Sequence, residues 1–407
     1  MQLRDIPFAA AILCGVAAPG AAGAATAEAS TRMTMFAEPG QAREGVKVFH
    51  PQVDASATMA DVFNIALGYN VDVVSGATPA VFGPSSGIDA VSGPTKFEDT
   101  RHLVHGGFGF ERPENGISFS GAYGFESDYK TYALSAVTHS DLYEHNFKLT
   151  LGYTHNWDRV CDANNDAAAG LPLQLVRLTS SADCFDASKP DVVTHKLSID
   201  TLEPALSWTM TPRLVLQGGA TIQLLDGFQS NPYRAVQLGM QRHQPQERHP
   251  QYRQRYAAFL RLAYAMPDLR ASALGMLRLY DDSWAVRAVT ADATLNKYIG
   301  NSLLLSVRAH YHLQGGASFY RTATELRLYG PNSEYWTGDR ELSDMGNYLL
   351  GGRMAFLRRP RQQRSAWFVE MELDAKYEVL FYVLPADAPN ADRKFAHLLQ
   401  GAFSVRF

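Results

Sequence analysis

Alternation with a period of two residues runs through most of this 407-residue chain, and it separates side chains so sharply that few folds accommodate it. From Leu303 to Gln314, Leu305, Val307, Ala309, Tyr311 and Leu313 share one side of a predicted strand, while Ser306, Arg308, His310, His312 and Gln314 share the other. From Phe368 to Val379, Met371, Leu373, Ala375, Tyr377 and Val379 alternate with Glu370, Glu372, Asp374, Lys376 and Glu378. A sandwich core cannot bury that second set unpaired, because a carboxylate taken out of water without a partner is strongly disfavoured. A hydrated interior can hold it, with the apolar side turned to lipid. The pattern repeats in the first half, where Phe147, Leu149, Leu151 and Tyr153 oppose Lys148, Thr150, Gly152 and Thr154, and Phe119, Gly121, Tyr123 and Phe125 oppose Ser118, Ser120, Ala122 and Gly124. In the last segment Leu399, Phe403, Val405 and Phe407 share one side, a terminal aromatic strand of the kind that outer-membrane assembly machinery would engage.

Past the N-terminus no segment offers about 20 consecutive apolar residues, so a helical span is excluded and a closed sheet is the remaining way to cross a bilayer. The expected fold is an all-β, antiparallel transmembrane β-barrel of about 16 strands, within 14–18, lying in outer-membrane lipid. Arg4, the short apolar run to Val16 and the small residues Ala21 to Ala25 read as an export signal over 1–25, cut near Ala22 to Ala25. Residues 26–45 then read as a flexible linker and 46–407 as the barrel. Strands are predicted near 47–56, 58–74, 101–112, 116–126, 129–140, 145–158, 193–211, 213–225, 253–266, 270–281, 285–298, 302–314, 317–329, 344–358, 365–379 and 396–407.

A net charge of -4 without a basic cluster argues against a nucleic-acid partner. Cys14 leaves with the signal, whereas Cys161 and Cys184 flank a polar stretch in an oxidising compartment and are expected to form a loop-stapling disulfide. Asp158, Asp162, Asn164 and Asp166 offer oxygen ligands, but lack the glycine and distal glutamate of a calcium loop and read as a solvated acidic loop. His102 and His105, like His310 and His312, read as members of a hydrated charge network and not as metal ligands. Arg253, Arg255, Arg261, Arg278, Arg308, Arg321 and Arg327 are expected to offset Glu370, Glu372, Asp374 and Glu378 across the lumen. Tyr153, Trp157, Tyr264, Tyr280, Trp284, Tyr298, Tyr311, Tyr329, Trp336 and Trp367 are assigned to the aromatic girdle at the membrane interfaces. No motif marks a serine, histidine and acid as a catalytic set.

One segment departs from the strand pattern. Asp72, Ser75, Gly76 and Thr78 are echoed in order by Asp89, Ser92, Gly93 and Thr95, each copy presenting a hydroxyl after a glycine with a carboxylate upstream. Tight turns or a packed lumen segment would use the same residues. The first copy, Asp72-Val-Val-Ser75-Gly76-Ala77-Thr78, resembles the acceptor motif of periplasmic flavin transferases, which esterify FMN onto its last residue. That resemblance implies covalent FMN on Thr78, with Asp72, Ser75, Gly76 and Ala77 read by the transferase; Pro94 departs from the motif before Thr95, the second acceptor position. It further implies periplasmic redox proteins as partners.

The mature chain is also similar to an exported family called domain of unknown function 3570. The residues that carry this are the repeated segment, Gly227 to Arg234, His249 to Tyr256, Leu279 to Trp284 and Tyr335 to Leu342. Two readings follow: a barrel carrying FMN for extracytosolic electron transfer, with 75–100 at the periplasmic mouth or in the lumen, or a channel or structural barrel plugged by residues 72–99.

Overall fold

The computed structural model describes residues 25–39, 46–76, 97–162, 183–185, 193–231, 236, 245–321, 329, 332–360, 368–384 and 395–407. Within them sixteen strands follow one another: β1 (Ala25–Glu38), β2 (Val46–Met59), β3 (Phe63–Gly76), β4 (Phe97–Glu111), β5 (Asn115–Phe125), β6 (Tyr129–Leu142), β7 (Phe147–Asp162), β8 (Val193–Thr211), β9 (Leu214–Gly227), β10 (Tyr252–Met266), β11 (Ala271–Asp282), β12 (Arg287–Ile299), β13 (Leu303–Gly315), β14 (Met345–Arg358), β15 (Glu370–Val383) and β16 (Phe395–Arg406). Each strand pairs antiparallel with its sequence neighbours, and β1 pairs with β16 from Glu28↔Arg406 to Ala37↔His397. The sheet is therefore a closed barrel without an edge, the condition for placing strands in hydrocarbon.

The register decides which side chains meet lipid. Val307 and Leu313 lie on the outer face with Leu350, Met354, Leu373, Tyr377 and Leu399, all strongly exposed to the surroundings of the barrel, and the half-buried Leu305 shares their side. Arg308, Gly351 and Glu378 lie opposite one another on the inner face. Aromatic rings rim the apolar band at both ends: Phe63 against Phe110 and Phe147 stacked on Trp208 at one, Tyr123 against Tyr132 and Tyr311 against Tyr348 at the other. Phe147 and Trp157, on the outer face of β7, are ten residues apart. At roughly 3.3 Å per residue and a tilt of about 40° that spacing spans about 25 Å, the height of a lipid-facing barrel band. The protein resides in the outer membrane of a Gram-negative bacterium.

Two sequence expectations are corrected. Residues 26–45 are not a linker, because β1 occupies them through Glu38; its outward residues Ala27, Ala29 and Thr31 are too small or polar to make the alternation visible, and Met33 and Met35 come late. Residues 317–329 do not form a strand where described: Ala317 to Tyr320 turn away from the wall, and Ala317 and Tyr329 are buried. The strand number is unchanged, since one strand is gained and one lost.

The missing first strand reverses the assigned ends. The start of β1 and the end of β16 lie at the end where 60–62, 112–114, 143–146, 212–213, 267–270 and 300–302 make short turns, with 359–369 the longer exception. Segments 77–96, 163–192, 228–251 and 316–344 connect strands at the opposite end, which the short-turn rule makes extracellular. Gly76 and Phe97 thus stand at the extracellular mouth and not at the periplasmic one.

The outward face is expected to resist charge in a depth-dependent way. Leu151→Arg, midway between the rings of Phe147 and Trp157, should lower stability in lipid vesicles by about 2–4 kcal/mol in urea titrations, whereas Thr150→Arg on the lumen face should change it by less than about 1 kcal/mol. Equal effects would contradict the assigned register.

Candidate functional site

At the extracellular mouth two long connections fold onto each other. The β9–β10 connection leaves the wall at Gly227, whose φ of 130° and close approach to Lys196 O exclude a side chain. Arg248 and Trp336 then exchange backbone hydrogen bonds of 2.9 and 3.0 Å with the β13–β14 connection. Val236, Tyr329 and Trp336 make a small apolar core between them, and Trp336 Nε1 donates to Gln246 O at 2.9 Å. Burial pushes the Tyr329 phenol above its ordinary pKa, so it remains a donor, to Phe319 O at 2.8 Å.

Beneath this bridge Thr337 Oγ1 lies 3.0 Å from both Glu247 Oε2 and His249 Nε2, and His249 N donates to Ser230 Oγ at 3.0 Å. The imidazole packs against the rings of Trp284 and Phe319 at 5.2 and 5.7 Å. Asp282 then ties this layer to the wall. Its Oδ1 accepts from Trp284 N and Val286 N, both at 2.9 Å, and its Oδ2 accepts from Arg253 Nε and Tyr280 OH, both at 2.8 Å. Arg253 stacks on Trp284 at 4.0 Å. Farther round the mouth Arg340 Nη1 donates to Glu38 Oε1 at 3.0 Å, with both side chains at most 2% exposed, and the guanidinium lies 4.7 Å from the Tyr382 ring centre. The cap is thereby joined to β1 beside the closing seam, over the cluster Phe36, Val46, Val48, Met345, Tyr382 and Ala396.

The lumen wall below carries a second arrangement. Gly351 stands between Arg308 and Glu378 in the register, and a Cβ there would collide with the Glu378 side chain. Across this gap Arg308 reaches Glu378 at 3.1 Å, and on its other side, toward β12, it holds Asp292 at 2.6 Å. Arg353 holds Glu372 at 2.6 Å together with Asp374, and Lys376 reaches Glu378 at 3.0 Å. A cavity of about 350 Å³ opens beside these groups, lined also by Ser272, Thr294 and Asn296. On the neighbouring β10–β11 wall Arg261 donates to Gln217, and Arg278 stands exposed. Neither is paired with a carboxylate among the described residues.

The residues singled out by sequence divide accordingly. Asp72 is buried in the lumen wall and bonded to His50 Nδ1. Ser75 and Gly76 end β3, while Ala77, Thr78 and Thr95 lie outside the described residues. Cys161 and Cys184 are joined, with Cα atoms 5.9 Å apart. His310 and His312 face the lumen, bonded to Asp292 and Thr290, and His105 faces Asp54. His102 instead points outward, stacked on Phe125. Arg308 takes the expected lumen role, but Arg253 belongs to the cap, Arg321 bonds loop carbonyls, and Arg327 lies outside the described residues. Arg353 and Lys376, which hold most of the acidic strand, were not singled out. Their inward parity with Glu372 and Glu378 was available in the sequence. Of the supposed girdle, Trp284, Tyr329 and Trp336 form the cap, and Tyr280 and Tyr298 face inward. Trp367 lies outside the described residues.

The described residues Gly227 to Asn231, His249 to Arg253, Tyr280 to Trp284 and Tyr335 to Leu342 are the parts of the family-like segments that meet at the cap. Over residues 5–356 the chain matches the family described as "Protein of unknown function (DUF3570)". The chain belongs to DUF3570. A search of curated proteins returns no match. Among solved structures, this DUF3570 barrel is similar to the siderophore receptor PirA from Acinetobacter baumannii at 10% identity and a TM-score of 0.44, covering 89% of this chain and 54% of the receptor, about half its length. It is similar to a BenF-like porin from Pseudomonas fluorescens Pf-5 at 10% identity and a TM-score of 0.42, covering 94% and 99% of the two chains. OccD3 (OpdP) from Pseudomonas aeruginosa gives 8% identity and a TM-score of 0.44, with 95% and 93% covered.

The Glu38–Arg340 pair offers a direct test of cap anchoring. Arg340→Ala removes the guanidinium that faces a buried carboxylate and should destabilise the cap by about 3–5 kcal/mol, while Glu38→Gln combined with Arg340→Met should cost less. Amide hydrogen exchange should rise in 228–251 and 316–344 with the barrel strands still protected; unchanged exchange in both segments would remove the pair as an anchor.

Proposed function

We propose that this DUF3570 barrel is an outer-membrane channel for small hydrophilic solutes, with a preference for anions, and that the two-loop cap controls its outer mouth. The supporting observation is the charge arrangement of the lumen. Asp292, Glu372, Asp374 and Glu378 are held by only three cations, Arg308, Arg353 and Lys376, but Arg261 and Arg278 on the adjoining wall have no carboxylate partner among the described residues, so that these nine groups carry one more positive than negative charge. In a hydrated pore, cations left unneutralised on one wall raise the local concentration of anions and lower the barrier to their entry.

In planar bilayers with a tenfold potassium chloride gradient, the reversal potential should have the sign of chloride preference, and Arg261→Gln with Arg278→Gln should move it toward zero. Absence of conductance in both the native protein and Arg340→Ala would replace the channel with a structural barrel closed by residues such as 72–99.

The flavin reading is a separate proposal, supported by the match of Asp72 to Thr78 with the transferase acceptor motif. It places FMN on Thr78, with Ser75, Gly76 and Ala77 as recognition residues and Thr95 as the departing second copy, and makes the barrel an electron carrier working with periplasmic redox proteins. Because Asp72 is engaged by His50 and β3 ends at the outer mouth, a periplasmic transferase would have to act before the barrel closes. The intact mass of protein from cells holding a flavin transferase should then exceed that of Thr78→Ala by one FMN; an unmodified native mass removes the electron-transfer role.

A further inference from the structure

The outer wall of β6, β7 and β8 carries an unusual row at its extracellular end. The register sets Lys130 directly opposite Arg159, and Arg159 directly opposite Lys196. Directly opposed residues on one face of an antiparallel sheet have Cβ atoms about 4.5–5.5 Å apart, and like charges there are destabilising. None of the three has an ion pair among the described residues. Lys130 Nζ lies 4.3 Å from the centre of the Phe185 ring, held there by the Cys161–Cys184 bridge, and Arg159 and Lys196 are exposed. Carboxylates do occur on this face, but Asp200 is taken by His155 at 2.7 Å and Tyr153 at 2.6 Å, and Asp226 stands opposite Ser198, one row lower. Elsewhere on the same rim Arg287 does have its carboxylate, Asp281 at 2.9 Å.

The height of the row identifies what it faces. The next outward residues toward the periplasm are Tyr132 and Trp157, opposite each other, which mark the membrane interface. Three cations one step above that girdle lie in the headgroup plane of the outer leaflet, where an anionic lipid can neutralise all three while its chains cover Leu134, Leu151 and Leu202 below.

We propose that Lys130, Arg159 and Lys196 form an exterior binding site for the phosphate-bearing headgroup of an outer-leaflet lipid. The row supplies two side chains free to form charge-assisted hydrogen bonds and a third pre-positioned by the Phe185 ring, and a phosphorylated headgroup supplies several acceptor oxygens.

The test is titration of the intact, detergent-solubilised barrel with diphosphoryl lipid A, read by native mass spectrometry. Replacing all three cations by glutamine should weaken binding on the order of a hundredfold, and Arg159→Gln alone about fivefold, while Arg287→Gln should have no effect. Retention of heat-modifiable migration identifies a folded variant; if the triple variant does not fold, the single substitution and the loss of native binding in raised salt decide. Unchanged affinity in the folded variants, equal binding of a dephosphorylated lipid A, or displacement by inorganic phosphate at concentrations comparable to the lipid would each overturn the proposal.

Discussion

The pairing of β1 with β16 is the contact on which the rest of the molecule depends. In hydrocarbon an unpaired backbone amide or carbonyl has no water to turn to, so a sheet that crosses a membrane must bond its last strand to its first. Ten residue pairs from Glu28↔Arg406 to Ala37↔His397 accomplish this. Once the wall is closed, the alternation of each strand has a single meaning: one parity contacts lipid and the other encloses a polar interior. Arg308, Gly351 and Glu378 meet because three neighbouring strands share that closed register, and the glycine leaves the space in which the two charges approach.

The two ends of the barrel are built differently. At the periplasmic end most strands turn back within a few residues, while at the other end two long connections build a small core of their own. Asp282 is the hinge between wall and cap: one carboxylate fixes the β11–β12 turn through two backbone amides and orients Arg253 through its guanidinium. Arg253 in turn supports Trp284, on which His249 and Phe319 pack. The exchanges between Glu247, Thr337 and His249 are buried, and such a network contributes most when each member is satisfied.

Much of the wall was legible in the sequence because the lipid boundary imposes alternation over many residues. The strands at 302–314 and 365–379 announced themselves through large outward side chains and charged inward ones. β1 did not, since Ala27, Ala29 and Thr31 give little contrast with Glu28 and Ser30. One missed strand then reversed the assigned side of Asp72, because each antiparallel crossing changes the end of the barrel at which the chain emerges. The segment 317–329 misled in the opposite direction: Ala317, Phe319 and Tyr329 are apolar because they pack in the cap, and a short apolar run does not disclose which core it serves. The cap itself was not legible as a unit. Arg340 and Glu38 are separated by 302 positions, and nothing local to either announces the other.

That separation has a temporal side. Arg340 sits just before β14, and its partner Glu38 belongs to a strand synthesised near the start of the chain, yet Glu38 reaches its buried position only when β1 lies alongside β16 and the Phe36, Tyr382 and Ala396 cluster has formed around it. Contacts so remote in sequence are the slowest to be made, since the intervening chain must be ordered before they yield any stabilisation. An unfinished barrel consequently has no place to fasten its lid, and the mouth acquires its final shape as the last event of assembly.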